Sequence, residues 1–266
     1  MSHFLQPLIL GLVQGLAEFL PISSTAHLTL IPFFTGWEDP GLAFDVALHI
    51  GTLIAVIAFF WKDWLNIFSS AQDGYKKGGF SGFKKEPLYF LIIATIPGAL
   101  FGALFEKKAE TVFRSPLLIA AALIVAGAIL YWVDKKYKGK RNLKDINLKD
   151  SLVIGFSQAF AVIPGFSRAG TTITAGLYRG LDKISAARFS FLLSTPIILG
   201  AAVLELPHLI RAGINSSVII GILSSMVFGY LAIKYMLKFL EHYGYGVFFW
   251  YRLLLGVAVV AVYLFR

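Results

Sequence analysis

Between positions 14 and 27 the chain reads QGLAEFLPISSTAH, and between 164 and 172 it reads PGFSRAGTT. The first stretch gathers a carboxylate, three hydroxyls and an imidazole around one proline, and the second sets a guanidinium among hydroxyls and glycines. Gln14 and Glu18 are four apart, so a helix would carry both on one face. Pro21 cannot continue that helix without losing a backbone hydrogen bond, so the chain turns there. Ser23 or Ser24 then stands where an N-cap belongs, opening a second helix that carries Thr25 and His27. Ser24 and His27 share a face of it. The free N–H groups and positive dipole end at such a start suit an anion.

The second stretch repeats the device with different chemistry. Gly165 and Gly170 let the backbone approach a ligand closely. Ser167, Thr171 and Thr172 supply hydroxyls, and Arg168 supplies a planar fork that matches two phosphate oxygens. Brought together, the two stretches would make a polar pocket suited to phosphate ester or anhydride chemistry. Arg168 and the N–H groups would bind and stabilise charge, while Glu18 and His27 would move protons.

Each residue also has a plainer reading. Hydroxyls at a kinked membrane helix commonly satisfy freed backbone groups, and an imidazole or a glycine there often serves helix packing. Glu18 and Arg168 could be a structural ion pair. The joint occurrence of these groups in two matching segments argues for a site. Asp45 and His49, four apart near the start of the first span, read more simply as an interfacial pair reaching water. Glu205 and His208 read as loop residues.

The elements that must position these groups are set by composition. Of 266 residues, 57% are hydrophobic and only 15% charged, against roughly a quarter charged in a soluble domain. With a mean hydropathy of +0.73, the chain is a multispanning membrane protein. Six stretches, at about 42–61, 87–105, 116–133, 186–206, 217–236 and 247–265, have the roughly 20 apolar residues a spanning helix needs. Two more, about 4–33 and 151–178, are interrupted by Pro, Gly and hydroxyl residues, and they contain the two motifs.

The net charge of +9 is carried by loops between apolar runs, so it sets orientation rather than serving nucleic acid. Lysines and arginines crowd 62–86, 134–150 and 179–188 and end the fifth span, whereas the alternate loops hold only Lys107, Lys108, Arg114 and Arg211. The crowded loops are therefore expected in the cytoplasm, with contacts to anionic lipid. Six spans then leave the two broken segments to enter and leave on one side, as re-entrant hairpins.

An internal repeat agrees with this topology. Gly11, Gln14 and Ala17 align with Gly155, Gln158 and Ala161, and after a one-residue slip Pro21 meets Pro164. Each half, a hairpin followed by three spans, is then inverted relative to the other, which points to a site near the bilayer midplane. The expected fold is an all-α integral membrane protein: six transmembrane helices plus two re-entrant hairpins in one domain. Repeat 1 covers about 1–133, a basic loop 134–150, and repeat 2 about 151–266.

With these residues assembled, the chain resembles the BacA/UppP family of undecaprenyl-diphosphate phosphatases. The family's first motif, Glu/Gln-x-x-x-Glu-Phe-Leu-Pro-x-Ser-Ser-Thr-x-His, matches Gln14 to His27, and its second, Pro-Gly-x-Ser-Arg-x-x-x-Thr, matches Pro164 to Thr172. The similarity runs over nearly the whole chain, including FSFLLSTPIILGA at 189–201.

The resemblance implies hydrolysis of undecaprenyl diphosphate to the monophosphate and inorganic phosphate, on the outer side of a bacterial inner or plasma membrane. It also implies recycling of the lipid carrier for cell-wall synthesis, and bacitracin resistance. Glu18, Ser24, His27 and Arg168 match catalytic positions, and Gln14, Ser23, Thr25, Ser167 and Thr172 match neighbouring site positions. Gly165 and Gly170 belong with the phosphate-binding set. A divalent cation, Mg²⁺ or Ca²⁺, is implied. Gln14 stands where other members have Glu, which leaves Glu18 as the carboxylate this motif could offer a metal.

Two mechanisms stay open. Ser24 could attack phosphorus with His27 or Glu18 as base, or Glu18 could activate water directly. The shared helical face of Ser24 and His27 favours the covalent route. A rival of another class is a carrier or flippase for polyprenyl phosphate or phosphate, because broken helices in inverted halves also build transporters.

Overall fold

Leu, Ile, Val, Ala and Phe dominate the long runs, and the backbone polar groups of such runs must pair internally, so they fold as helices. The computed structural model describes residues 2–265, apart from the side chains of 2, 3, 42, 106, 107, 109, 110, 208 and 212; His208 and Lys107 therefore lie outside the described side chains. Eleven α-helices and no strands occur among the described residues: α1 (Ser2–Phe19), α2 (Ser24–Thr35), α3 (Leu42–Phe59), α4 (Trp61–Phe83), α5 (Pro87–Glu110), α6 (Pro116–Lys136), α7 (Leu148–Ser157), α8 (Arg168–Tyr178), α9 (Lys183–Ala212), α10 (Ser216–Leu240) and α11 (Gly246–Phe265). Five of them, α5, α6, α9, α10 and α11, are long and apolar enough to cross a membrane. A sixth span is available if α3 and α4, bent by 70° at Phe60, count as one.

The local signals act as expected of them. Pro87 and Pro116 sit at helix starts, where the missing N–H costs nothing. Asn147, Asp182 and Asn215 cap α7, α9 and α10 with side-chain oxygens. Gly36 ends α2 in the left-handed conformation.

Residues 62–86, expected as a basic loop, instead form most of α4. One face of this helix, Ile67 and Ala71, is buried. A second face exposes Trp61, Leu65, Phe68 and Tyr75, while Lys62, Asp73, Lys76 and Lys77 are polar and exposed. The hydrophobic pattern of α4 is thus that of a helix lying along an interface, with too many charges to read as a span. Asp63 anchors it by pairing with Arg188 of α9, whose guanidinium lies 5.2 Å from the Phe60 ring centre.

α1 packs along α10, and α3 lies against both α10 and α9; on the other side α7 packs on α5, and α6 on α11. Small residues make these approaches possible, since helices in lipid are held by close packing rather than by hydrophobic expulsion. A Cβ on Gly15 would come within 2.7 Å of Gly229 N and Ser225 O, and one on Gly51 within 2.3 Å of Ile222 O. In the other half, a Cβ on Gly155 would come within 2.8 Å of Ala94 O. Ser225 fills the seam and donates its hydroxyl to Leu48 O at 2.8 Å.

The segment before α7 is also more structured than a basic loop. Asp150, fully buried, accepts from Arg141 and from Arg179 Nε (2.8 Å), and Asn147 N closes a capping box on it at 3.0 Å. Arg141 further bridges Leu181 through its backbone. Two of the arginines expected to mark topology therefore hold the end of α8 to the start of α7. Burial pushes the Asp150 carboxyl up, but the hydrogen bonds from Arg141, Arg179 and Asn147 outweigh it and hold the group below the usual carboxylate range.

Two predictions follow from the packing and this clamp. Gly51→Ala should lower the thermal midpoint of the detergent-solubilised protein, at a cost of about 1–3 kcal/mol from overpacking. Because the Asp150 pKa is depressed on folding, its contribution is present above about pH 4 and is lost as pH falls through the folded value. The thermal midpoint of wild type should therefore fall as pH is taken below about 4. Asp150→Asn should flatten that acid limb while lowering the midpoint at pH 7.

Candidate functional site: two helix tips meeting at one carboxylate

α1 stops at Phe19 because Pro21 follows, and α2 starts again at Ser24. α7 passes into a 3-10 turn at Gln158–Val162, the chain bends through Pro164 and Gly165, and α8 starts at Arg168. Ser23 and Ser167 cap the two new helices, each hydroxyl accepting an N–H three residues on: Ala26 at 3.4 Å and Gly170 at 3.0 Å. These two serines are the non-glycine residues with positive φ among the described residues, +73° and +67°. Such backbone strain costs about 1–3 kcal/mol per residue and is tolerated where surrounding structure enforces it. The choice between Ser23 and Ser24 as N-cap is settled for Ser23, which frees Ser24 to point elsewhere.

The tips touch. Gly165 N–H donates to Ser23 Oγ at 2.9 Å. Arg168 Nη2 reaches Glu18 Oε1 at 2.6 Å, with both side chains largely buried. Glu18 Oε2 accepts from Ser24 Oγ at 2.7 Å and from Gln14 Nε2 at 3.1 Å. A second bond from Arg168, to Ser190 O at 3.0 Å, fixes the fork against α9. Thr172 reinforces it by bonding to Ser190 Oγ at 2.7 Å and to Arg168 O at 2.8 Å. The ion pair is out of water, so its stability depends on these extra hydrogen bonds to offset desolvation.

His27 lies at the same tip but faces another way. Its Nδ1 is 2.7 Å from Ser23 O and its Nε2 2.6 Å from the Tyr251 hydroxyl, with the two rings stacked. The shared helical face therefore does not pair His27 with Ser24; the group in contact with the Ser24 hydroxyl is Glu18. Thr25 is exposed, and Thr171 Oγ1 donates to Arg168 O at 3.0 Å. Gly165 has its N–H occupied by Ser23, and a Cβ there would strike Ile119 O at 2.8 Å, so its position serves close approach to α6. Gly170 N–H is likewise taken by Ser167.

Three residues outside the motifs join the cluster. His49 places Nε2 3.5 Å from Glu18 Oε2, with Nδ1 held 2.7 Å from Asp45 O. Its neighbour Asp45 pairs with Arg114 at 3.2 Å, so the pair read as merely interfacial connects Glu18 to a charged end of the bundle. Tyr251 orients His27. Arg252 is fully buried and donates to Pro21 O at 3.2 Å, to Gly165 O, and to Phe166 O at 3.2 Å. Arg252 had a signal, an ionisable residue inside the last apolar span. His49 had one, its spacing of four from Asp45, which reads as interfacial, and Tyr251 had none that spacing could supply.

For a hard cation the cluster offers little. Among the described residues no three His, Cys, Asp or Glu side chains come together as a metal site. Gln14 Oε1 is buried without a partner next to Glu18. Those two residues could supply oxygens to Mg²⁺ or Ca²⁺, with the remaining ligands coming from phosphate and water.

A cleft of about 610 Å³ lies between α6, α7 and α8 and is walled by apolar side chains such as Ile129, Trp132, Val153, Phe156 and Phe160. It runs up to Phe166, Gly170 and Thr171 beside the second tip.

The model of the family described as "Bacitracin resistance protein BacA" matches residues 7–258. An undecaprenyl-diphosphatase of Moorella thermoacetica is 51% identical over 98% of both chains. One of Pelotomaculum thermopropionicum is 49% identical over 97% of this chain and 96% of its own. One of Caldicellulosiruptor bescii is 48% identical over 98% of both. With the match running almost end to end and both helix tips inside it, the chain belongs to the BacA family.

Proposed function

We propose that this protein hydrolyses undecaprenyl diphosphate to undecaprenyl phosphate and inorganic phosphate, the activity its relatives are named for, and does so at the two tips. The observation that carries the reading is the line Ser24 Oγ–Glu18–Arg168, at 2.7 and 2.6 Å, which joins a nucleophile, a base and a phosphate-matching cation drawn from two broken helices. By recycling the lipid carrier for cell-wall synthesis, the activity would withdraw the diphosphate lipid that bacitracin captures.

In this mechanism the terminal phosphate enters between the tips and takes Arg168 as its partner, together with the first-turn N–H groups of α2 and α8. As Arg168 turns to phosphate, Glu18 loses its counter-charge and becomes readier to accept a proton. Ser24 Oγ then attacks the terminal phosphorus and gives its proton to Glu18. The phosphorus–oxygen anhydride bond breaks, and undecaprenyl phosphate leaves with that electron pair. Glu18 passes that proton to the departing lipid phosphate, then takes one from the water that attacks the phosphoserine and returns it to Ser24 Oγ as inorganic phosphate leaves. The Ser24–Glu18 contact supports this covalent route over direct attack by water. A divalent cation bound by the substrate's phosphates near Gln14 and Glu18 would supply charge neutralisation. The apolar cleft beside the second tip suits the first isoprene units of the lipid tail.

Several features support an inverted repeat with re-entrant tips. The two strained serines cap equivalent helices, and α1 rests on α10 as α7 rests on α5. Gly11 and Gly155, aligned in the repeat, each face a backbone carbonyl of the packed helix. The basic loops favour placing α4 and the Arg141–Asp150 clamp on the cytoplasmic side, with the site served from the outer face of the bacterial plasma membrane.

Purified protein in detergent, given undecaprenyl diphosphate and Mg²⁺, should release phosphate; a carrier would release none. Glu18→Gln should lower kcat by about 10²–10⁴-fold, and Arg168→Ala by about 10²–10³-fold. Acid quenching with substrate labelled in the terminal phosphate should trap label on Ser24. Full turnover by Ser24→Ala would exclude the covalent route.

A further inference from the structure

The bundle buries a cation, Arg252, whose placement the phosphatase reading does not use. Arg252, on α11, has no exposed surface, and no carboxylate pairs with it among the ion pairs of the described residues. A buried guanidinium without an anion is costly unless its donors are engaged. Its two terminal nitrogens go to three backbone carbonyls, Pro21 in the first tip and Gly165 and Phe166 in the second, while Nε is left without a partner. One side chain therefore bonds to both broken helices at their turns. Room for it comes from Gly127 of α6, where a Cβ would stand 3.4 Å from the Arg252 Cβ and Cδ, and from Gly170, where one would stand 3.3 Å from Nη1.

We propose that Arg252 is a positioning residue for the reaction, the bolt that sets the two tips at the spacing Glu18 and Arg168 require. Two consequences of its geometry carry this. In a trans peptide the N–H points away from the C=O. Turning the Phe166 carbonyl toward Arg252 therefore turns the Ser167 N–H away from it, toward the start of α8 where an anion would sit. The carbonyl oxygens at the turns carry partial negative charge, which would repel a diphosphate if they faced it. Arg252 draws three of them to itself; in the same peptides the Ile22 and Phe166 N–H groups donate to Leu20 O and Ile163 O, and the Ser167 N–H is the one directed to the substrate.

Besides this link, the tips are joined directly by the Gly165–Ser23 bond and by the Glu18–Arg168 pair. The pair is the one that must open when phosphate takes Arg168, so at that moment Arg252 and the Gly165–Ser23 bond hold the tips together. The inference rests on the site reading above.

The test compares wild type with Arg252→Met and Arg252→Lys, in detergent, by steady-state kinetics and by amide hydrogen exchange without substrate. Arg252→Met should lower kcat about 100-fold, the size of effect a 1 Å misplacement produces, with KM changed less than fivefold. Exchange should rise in peptides covering 20–28 and 163–171 and stay as in wild type along α6 and the rest of α11. Arg252→Lys, which keeps the charge but not the fork, should recover about tenfold of the kcat.

A kcat within threefold of wild type would overturn the proposal. So would exchange rising along α6 and α11 as much as at the tips, because that marks a general packing role. If Arg252→Met does not fold, Arg252→Lys carries the test alone: a roughly tenfold lower kcat together with faster exchange at both tips supports the proposal, and either change without the other overturns it. Full activity in Glu18→Gln and Arg168→Ala would defeat the site reading instead, while the exchange pattern would still report whether Arg252 holds the tips.

Discussion

A carboxylate and a guanidinium 150 positions apart in the chain meet at 2.6 Å inside an apolar bundle, and much of the rest of the molecule follows from keeping them there. Charges removed from water must be surrounded by hydrogen-bonding groups or they destabilise the fold. Glu18 meets this demand with Arg168, Ser24, Gln14 and the nearby His49, and Arg168 meets it with Glu18 and Ser190 O. No single helix could provide that set. Two broken helices whose tips meet can, because each break supplies a tip, a cap and a new helix N-terminus.

Breaking a helix in lipid frees backbone groups that have no water to turn to. The structure answers with side chains placed at the breaks. Ser23 takes the N–H groups of Ala26 and Gly165, Ser167 takes that of Gly170, and Arg252 takes three carbonyls. The donors and acceptors are divided by sign: hydroxyls receive the N–H groups near the caps, and a cation receives the carbonyls at the turns. Such a division turns three carbonyl oxygens toward Arg252 and leaves Glu18, paired with Arg168, as the negative group between the tips.

Around this centre the bundle is held by close approach. Gly11, Gly15 and Gly51 let α1 and α3 lie on α10, and Gly155 does the same for α7 on α5. The arms of both broken helices are thus packed against a full-length helix, which gives the strained serines a rigid frame. At the other end, Asp150 ties the start of α7 to the end of α8 through Arg141 and Arg179, so the second broken pair is closed at its base as well as at its tip.

The sequence by itself determined that the chain is a helical membrane protein, where its long apolar helices run, and that two helices break at the segments carrying Glu18 and Arg168. Those properties depend on local chemistry: proline and glycine end helices, serine and asparagine cap them, and apolar runs of sufficient length need a lipid surrounding. Tertiary structure alone decided which groups pair. Ser24 and His27 share a helical face by spacing, yet α11 brings Tyr251 to His27 and leaves Ser24 to Glu18. His49 looked like an interfacial residue until the packing of α3 beside α1 put its ring near Glu18. Residues 62–86 looked like a basic loop because their charges mask a helix with one face buried and another exposed and apolar. Arg252, on the last helix, reaches turns 231 and 87 positions away, a relation no local pattern encodes, because a hydrogen bond across a bundle depends on where helices pack and not on how far apart they are in sequence.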